Sequence, residues 1–240
     1  MAYGSQNPWS VNRGAAASQA DIDQGLRQYM LRVYNYMASG LALTGVVSWL
    51  AYSTGFYASI AGTPLMWIVM LAPIALVFFF SFKLNSMSFG TAQTVFWLYA
   101  GLMGLSLAGI FQVYTGASIA RVFFITAGTF AGTSLWGYTT KTDLTRMGSF
   151  MMMGLIGIVI ASLVNIFLAS PAVYFAISII GVVVFVGLTA YDTQKIREMY
   201  LESDFADVMG KKALMGALTL YLDFVNLFLM LLRFFGDRRN

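Results

Sequence analysis

The chain has 240 residues, 59% of them hydrophobic and only 10% charged, with 14 Lys and Arg against 10 Asp and Glu. Average soluble domains carry about 25% charged residues, so this chain cannot cover a water-facing surface and reads as an all-α polytopic integral membrane protein. Cysteine and histidine are both absent, which excludes disulfides, thiol nucleophiles, Cys/His zinc clusters and imidazole proton shuttles.

Residues 1–28 form a polar tail that opens Met1-Ala-Tyr-Gly-Ser-Gln-Asn-Pro-Trp-Ser. A signal peptide has a basic start followed at once by a short apolar run. The tail lacks that order and reads as a retained cytosolic extension. Residues 29–240 then read as one domain, with no composition shift or long linker to divide it.

Within it lie seven apolar segments near the ~20 residues needed to cross the hydrocarbon core. They run Val33–Tyr52, Pro64–Phe82, Thr91–Tyr114, Ile119–Tyr138, Phe150–Leu168, Ala172–Tyr191 and Ala213–Phe235. Short connections such as Gly62-Thr-Pro64 and Ala169-Ser-Pro171 carry turn residues. The expectation is a seven-transmembrane-helix bundle.

Charge follows the connections. Arg13, Arg27 and Arg32 precede the first segment, and Lys83 follows the second. Lys141 and Arg146 follow the fourth, and Lys195, Arg197, Lys211 and Lys212 follow the sixth. The alternate connections hold no charge. This asymmetry puts the amino terminus in the cytosol and leaves no basic surface for nucleic acid. Arg233, Arg238 and Arg239 break the pattern, because seven crossings place them outside. A re-entrant segment would return them to the cytosol.

Glycines recur at packing distance. Gly128 and Gly132 form a small-xxx-small pair, and Gly101, Gly104 and Gly109 follow one another in the third segment. Such spacings let helix backbones approach closely.

Two acids lie inside the apolar runs. Asp192 closes the sixth segment near its cytosolic end, and Asp223 sits mid-way along the seventh. An acid at the centre of a spanning helix costs roughly 2.5–3.5 kcal/mol on insertion scales. A chain carrying two of them is expected to use them.

In the seventh segment Lys212, Gly216, Thr219, Asp223, Asn226, Met230 and Arg233 recur at spacings of three and four. They form one helical stripe, which in lipid must face protein or water. The seventh helix is therefore expected at the centre of the bundle. Thr189 and Lys195 flank Asp192 on its own helix face, so Asp192 taken alone also fits an interfacial acid paired with Lys195. Asp223 alone also fits a buried acid satisfied by Asn226 or a neighbouring hydroxyl.

If the two acids meet, both cannot ionise cheaply, so one proton is held between them. Deprotonation then brings repulsion, which loosens a gate or admits a cation. A hard cation suits such a pair, but two carboxylates fall short of the 6–8 oxygens that Ca²⁺ prefers. Occupancy would be transient, as conduction requires. Lys83 and Arg121 fit snorkelling anchors. Lys83, on the cytosolic side, also fits a countercharge that latches the pair.

Tyr191-Asp192-Thr193-Gln194, followed by Leu220-Tyr221-Leu222-Asp223-Phe224-Val225-Asn226-Leu227-Phe228 and Leu231-Leu232-Arg233, resembles the Bax inhibitor family, most closely its bacterial YccA-like branch. The resemblance covers essentially the whole chain after the polar tail. It implies a seven-helix bundle with the last helix central. It also implies that Asp192 and Asp223 are the pH-sensing pair of a calcium-leak pore. A basic latch on the second helix is implied too, with Lys83 as the candidate where the family pattern carries Arg. Eukaryotic relatives suppress cell death, and a bacterial relative modulates a membrane protease.

The expected function is a pH-sensitive cation leak channel or carrier, with Ca²⁺ as the implied ion. Asp192 and Asp223 form its transient metal site, with Thr189, Thr219 and Asn226 in support. Protons, Ca²⁺ and the bilayer are the expected partners, and no cofactor is implied. The alternative is a regulatory membrane protein that modulates a membrane protease or a stress or cell-death pathway through protein contacts. An intramembrane aspartyl protease is a poor fit, because the Gly-Asp and Pro-Ala-Leu motifs of such enzymes are missing around both acids. No enzyme activity is expected. The polar tail and the lack of a retrieval signal favour a bacterial plasma (inner) membrane.

Overall fold

Short polar residues and prolines start the helices. Pro64 and Pro171 occupy first-turn positions, where a missing N–H costs nothing. Ser88 and Thr115 cap their helices by accepting from Thr91 N (3.2 Å) and Ser118 N (3.3 Å). The computed structural model describes residues 8–239, with side chains from residue 23. Residues 1–7 of the expected tail lie outside the described residues.

The chain folds into α1 (Pro8–Ser53), α2 (Phe56–Ile60), α3 (Pro64–Lys83), α4 (Phe89–Leu107), α5 (Ile110–Val113), α6 (Gly116–Thr139), α7 (Thr145–Leu168), α8 (Pro171–Glu198) and α9 (Ala206–Phe235). Helix α1 runs without a break through the expected boundary at residue 28. Among its described side chains, the first deeply buried are Tyr29, Met30 and Val33.

Among the described residues, α3, α4 with α5, α6, α7, α8 and α9 are long and apolar enough to cross a membrane. The first expected segment lies in α1 but is diluted by Tyr34, Asn35, Tyr36, Ser39, Thr44 and Ser48. Bulky apolar side chains such as Trp67, Phe82, Phe124 and Phe167 point away from the protein interior. That outward coat suits lipid and not water. The chain is an integral membrane protein.

Helix α9 is the axis. It is buried on almost every side and packs against α8, α1, α6 and α4. The outer helices form two groups around it, α1 with α3 and α4, and α6 with α7 and α8.

One end of the bundle collects the charged connections. Lys211 donates to Met87 O (3.3 Å) and pairs with Asp207 (3.0 Å), while Asp207 accepts from Phe89 N. Arg197 donates to Tyr138 O and Thr140 O. The other end gathers the C-terminus. Thr115 N donates to Asp237 O (3.1 Å), Arg239 N donates to Val113 O (2.8 Å), and Arg239 also reaches the Tyr52 hydroxyl. Helix α9 therefore runs the length of the bundle instead of turning back, and Arg238 and Arg239 lie at the end opposite Lys83.

The third expected segment, Thr91–Tyr114, is interrupted. Helix α4 ends at Leu107, and the chain turns through Ala108-Gly109 into α5. Gly109 is packed so tightly against Tyr57 that a Cβ there would fall 2.5 Å from the ring hydroxyl.

The glycine expectations divide. Gly104 packs onto the α1 backbone, where a Cβ would lie 2.7 Å from Thr44 O. Gly101, Gly128 and Gly132 have no neighbour within 4 Å of such an atom. The Gly128/Gly132 pair is not a packing motif here. Close approach between α6 and α8 falls instead to Gly137, where a Cβ would sit 2.2 Å from Ala190 O.

A buried carboxyl pair on the central helix

The antiparallel register of α8 and α9 is fixed by two small-to-large contacts. Gly216 meets Ile196, and Gly181 meets Met230. Between these contacts the Asp192 and Asp223 carboxyls face each other within reach of a side-chain hydrogen bond. Asp223 is 5% exposed, and its Oδ2 is a buried polar atom without a hydrogen-bond partner among the described residues. Buried polar atoms are nearly always partnered, so this unpartnered oxygen singles out the pair as the candidate site.

Asp192 lies about one and a half turns inside α8, because the helix continues past the expected end at Tyr191 to Glu198. The Lys195 ammonium sits 5.8 Å over the Tyr191 ring. No ion pair joins Lys195 to Asp192 among the described residues. The local-pairing alternative is thus not what the geometry shows. Lys83 stands exposed at the end of α3 and pairs with neither aspartate. The structure does not bring the expected latch to the pair. Arg121 is far from it as well, bound to Asp237 at 2.9 Å.

The three supporting residues point their donors elsewhere. Thr189 Oγ1 donates to Phe185 O (2.7 Å), Thr219 Oγ1 to Met215 O (3.1 Å), and Asn226 Nδ2 to Leu222 O (2.8 Å). Each hydrogen-bonds the carbonyl one turn earlier on its own helix. The predicted stripe splits accordingly. Gly216, Asp223 and Met230 face α8, whereas Thr219 and Asn226 lie with Met215, Leu222 and Leu229 on the least covered side of α9.

The four residues of the first motif each have a separate partner. Tyr191 packs on Gly148, where a Cβ would lie 2.4 Å from the ring. Asp192 faces Asp223. Thr193 Oγ1 meets Ser134 Oγ (2.9 Å), which in turn meets the Tyr34 hydroxyl (2.7 Å), so hydroxyls link α8, α6 and α1. Gln194 accepts from Leu144 N (2.8 Å) and donates to Thr142 O (2.9 Å).

In the second motif, Tyr221 meets Thr44 and Tyr99, and Phe224 packs edge-on to Phe123 and Phe130. Neither the hydroxyl chain nor the Thr44 contact is legible in residue order, although Tyr221 and Thr193 stand inside the two aspartate motifs. A cavity of about 670 Å³ between α1 and α6 is lined by Tyr34, Phe130, Ser134 and Phe224. It reaches the residue beside Asp223.

No group of three or more metal-ligating side chains occurs among the described residues. The pair offers carboxylate oxygen only, a donor set suited to hard cations and too small to hold one tightly.

An apolar bundle whose central helix buries a carboxyl beside a second one is a membrane protein built around an interior acidic site. Residues 26–240 match the family model described as inhibitor of apoptosis-promoting Bax1, and the chain belongs to this Bax inhibitor family. It is 52% identical to the protein RP147 of Rickettsia prowazekii (strain Madrid E), over 91% of this chain and 93% of that one. It is 49% identical to the inner membrane protein YbhL of Escherichia coli (strain K12), over 90% and 94%. The membrane protein SpyM3_0260 of Streptococcus pyogenes serotype M3 is 33% identical, over 94% and 99%.

Proposed function

We propose that this protein is a pH-sensitive cation leak, with Ca²⁺ as the ion and the Asp192–Asp223 pair as its gate. The observation that carries the reading is Asp223, buried in the central helix against a second carboxyl, with one oxygen unpartnered. Burying a charge is costly unless it is paired. Two neighbouring acids meet that cost most cheaply by sharing a proton. The shared proton holds α8 against α9. Its loss leaves two like charges, and the repulsion separates the helices and draws in a divalent cation.

Transient binding suits this role. Beyond the two carboxylates, the remaining ligands are water and backbone carbonyls, so the ion is released as readily as it enters.

Seven crossings complete the reading, with α1 as the first, its amino-terminal end in the cytosol and the C-terminus outside. The inner-membrane location named for YbhL supports the same compartment for this chain. The test is Ca²⁺ uptake into liposomes holding the purified protein. Asp192→Asn and Asp223→Asn should each change the flux at neutral pH, and flux identical to wild type in both variants would overturn the proposal.

A further inference from the structure

The end of the bundle remote from Lys83 holds a basic cavity that the ion-site reading does not use. The α7–α8 turn, the last turn of α9 and the C-terminal segment enclose about 520 Å³, lined by Asn165, Ser170, Tyr174, Ser178, Arg233 and Arg238.

Its polar groups are mostly donors. The Arg233 guanidinium lies 4.9 Å from the centre of the Tyr174 ring, and Arg238 lies beside Tyr114, to which its backbone is bridged. Neither arginine has a carboxylate partner among the described residues, and the nearby Asp237 is held by Arg121 at 2.9 Å. Asn165 Oδ1 accepts from Ser170 N (3.1 Å), which leaves the Asn165 amide N–H groups to donate. Two guanidinium forks beside a donor amide match the oxygens of a phosphate.

The rim is apolar. Ile166 and Phe175 line the cavity and are 71% and 54% exposed, and Phe167 beside them is 89% exposed. Such a surface suits acyl chains, not a freely soluble anion. These arginines also oppose the loop-charge asymmetry of the rest of the chain, so their charge is better explained by a bound anion than by orientation.

We propose that this cavity binds the phosphate of an anionic phospholipid, with the acyl chains lying along Ile166 and Phe175. The ligand is membrane-derived, and the site is separate from the carboxyl pair.

The test is native mass spectrometry of the full chain in detergent, titrated with phosphatidylglycerol and with phosphatidylcholine of the same chain length. Phosphatidylglycerol should be retained in preference. The Arg233→Gln/Arg238→Gln variant should bind it at least tenfold more weakly, as expected when about two basic contacts to an anionic lipid are lost. Lys141→Gln, at the opposite end, should bind like wild type.

Equal binding of the two lipids would overturn the proposal, as would wild-type affinity in the double variant. Displacement by inorganic phosphate would also overturn it, by assigning the site to a free anion. Should the double variant fail to fold, Arg233→Lys/Arg238→Lys keeps the charge but loses the bidentate geometry. Its affinity should fall several-fold, and unchanged affinity there contradicts the proposal.

Discussion

The hydroxyl of Tyr221 meets that of Thr44 at 2.7 Å, which ties the central helix to α1 two residues before Asp223. Thr44 also bonds Gly40 O (2.9 Å) and Ala100 O (2.8 Å), so one buried hydroxyl joins α1, α4 and α9. Tyr221→Phe should cost about 1 kcal/mol, the loss of a single hydrogen bond. Thr44→Val should cost more, roughly 1–3 kcal/mol, because it leaves the buried Tyr221 hydroxyl unpaired. Unfolding in mixed micelles measures both, and the reverse order would contradict this role for Thr44.

Gly137 and Gly128 lie on the same helix with opposite surroundings. A methyl at Gly137 would press on the Ala190 backbone, which cannot move aside as a side chain can. Gly137→Ala should destabilise by roughly 1–3 kcal/mol or more and loosen α6 from α8. Gly128→Ala meets open space and should be neutral or stabilise by up to about 1 kcal/mol through helix propensity. The same micelle assay separates the two.

Gln194 holds the α6–α7 connection to α8 through its side-chain amide. Leu144 is 3% exposed, so Gln194→Ala leaves its N–H buried without a partner. The expected cost is roughly 1–3 kcal/mol. Limited proteolysis within residues 139–145 should speed up in the variant, and unchanged protection would count against this role.

Asp143 opens α7, where its Oδ1 accepts from Thr145 N at 2.8 Å. The Thr145 hydroxyl, together with that backbone bond, holds its carboxyl below the ordinary carboxylate range. A lowered folded value means the contribution is present above the unfolded pKa and fades as pH falls through the folded one. Wild type should therefore melt slightly above Asp143→Ala at neutral pH, and the gap should close in acid. A gap that widens in acid would reverse the assignment.

Much of the bundle is legible in residue order, because lipid makes hydropathy a direct signal of which runs cross it. The central place of α9 was legible from Asp223, an acid that cannot face hydrocarbon, but not from the whole stripe, since Thr219 and Asn226 lie on its least covered side. The lengths of α7, α8 and α9 were less legible. Arg146, Lys195 and Lys211 end an apolar run, but a helix continues wherever its backbone bonds are intact, lipid or not.

The Tyr57 contact on Gly109, where α4 breaks, and the empty surroundings of Gly128 and Gly132 are both invisible in residue order. Both are set by packing between distant segments, which spacing alone does not encode. Asp192 and Asp223 were legible as a pair through their insertion cost and motif. Lys83 was chosen for closing the second segment at the same end of the bundle as Asp192 and for the basic latch that the family resemblance implies there, and neither ground fixes a contact.

On the proposed mechanism, a proton shared by Asp192 and Asp223 holds the gate closed. That claim is tested most directly by Ca²⁺ flux through wild type and the Asp192→Asn/Asp223→Asn variant in liposomes as pH is stepped from acid to alkaline. Wild-type flux should rise with pH, because deprotonation turns a bridging proton into repulsion between the acids, and flux through the variant should not vary with pH. A wild-type flux that ignores pH, or a variant that keeps the wild-type pH dependence, would contradict the claim.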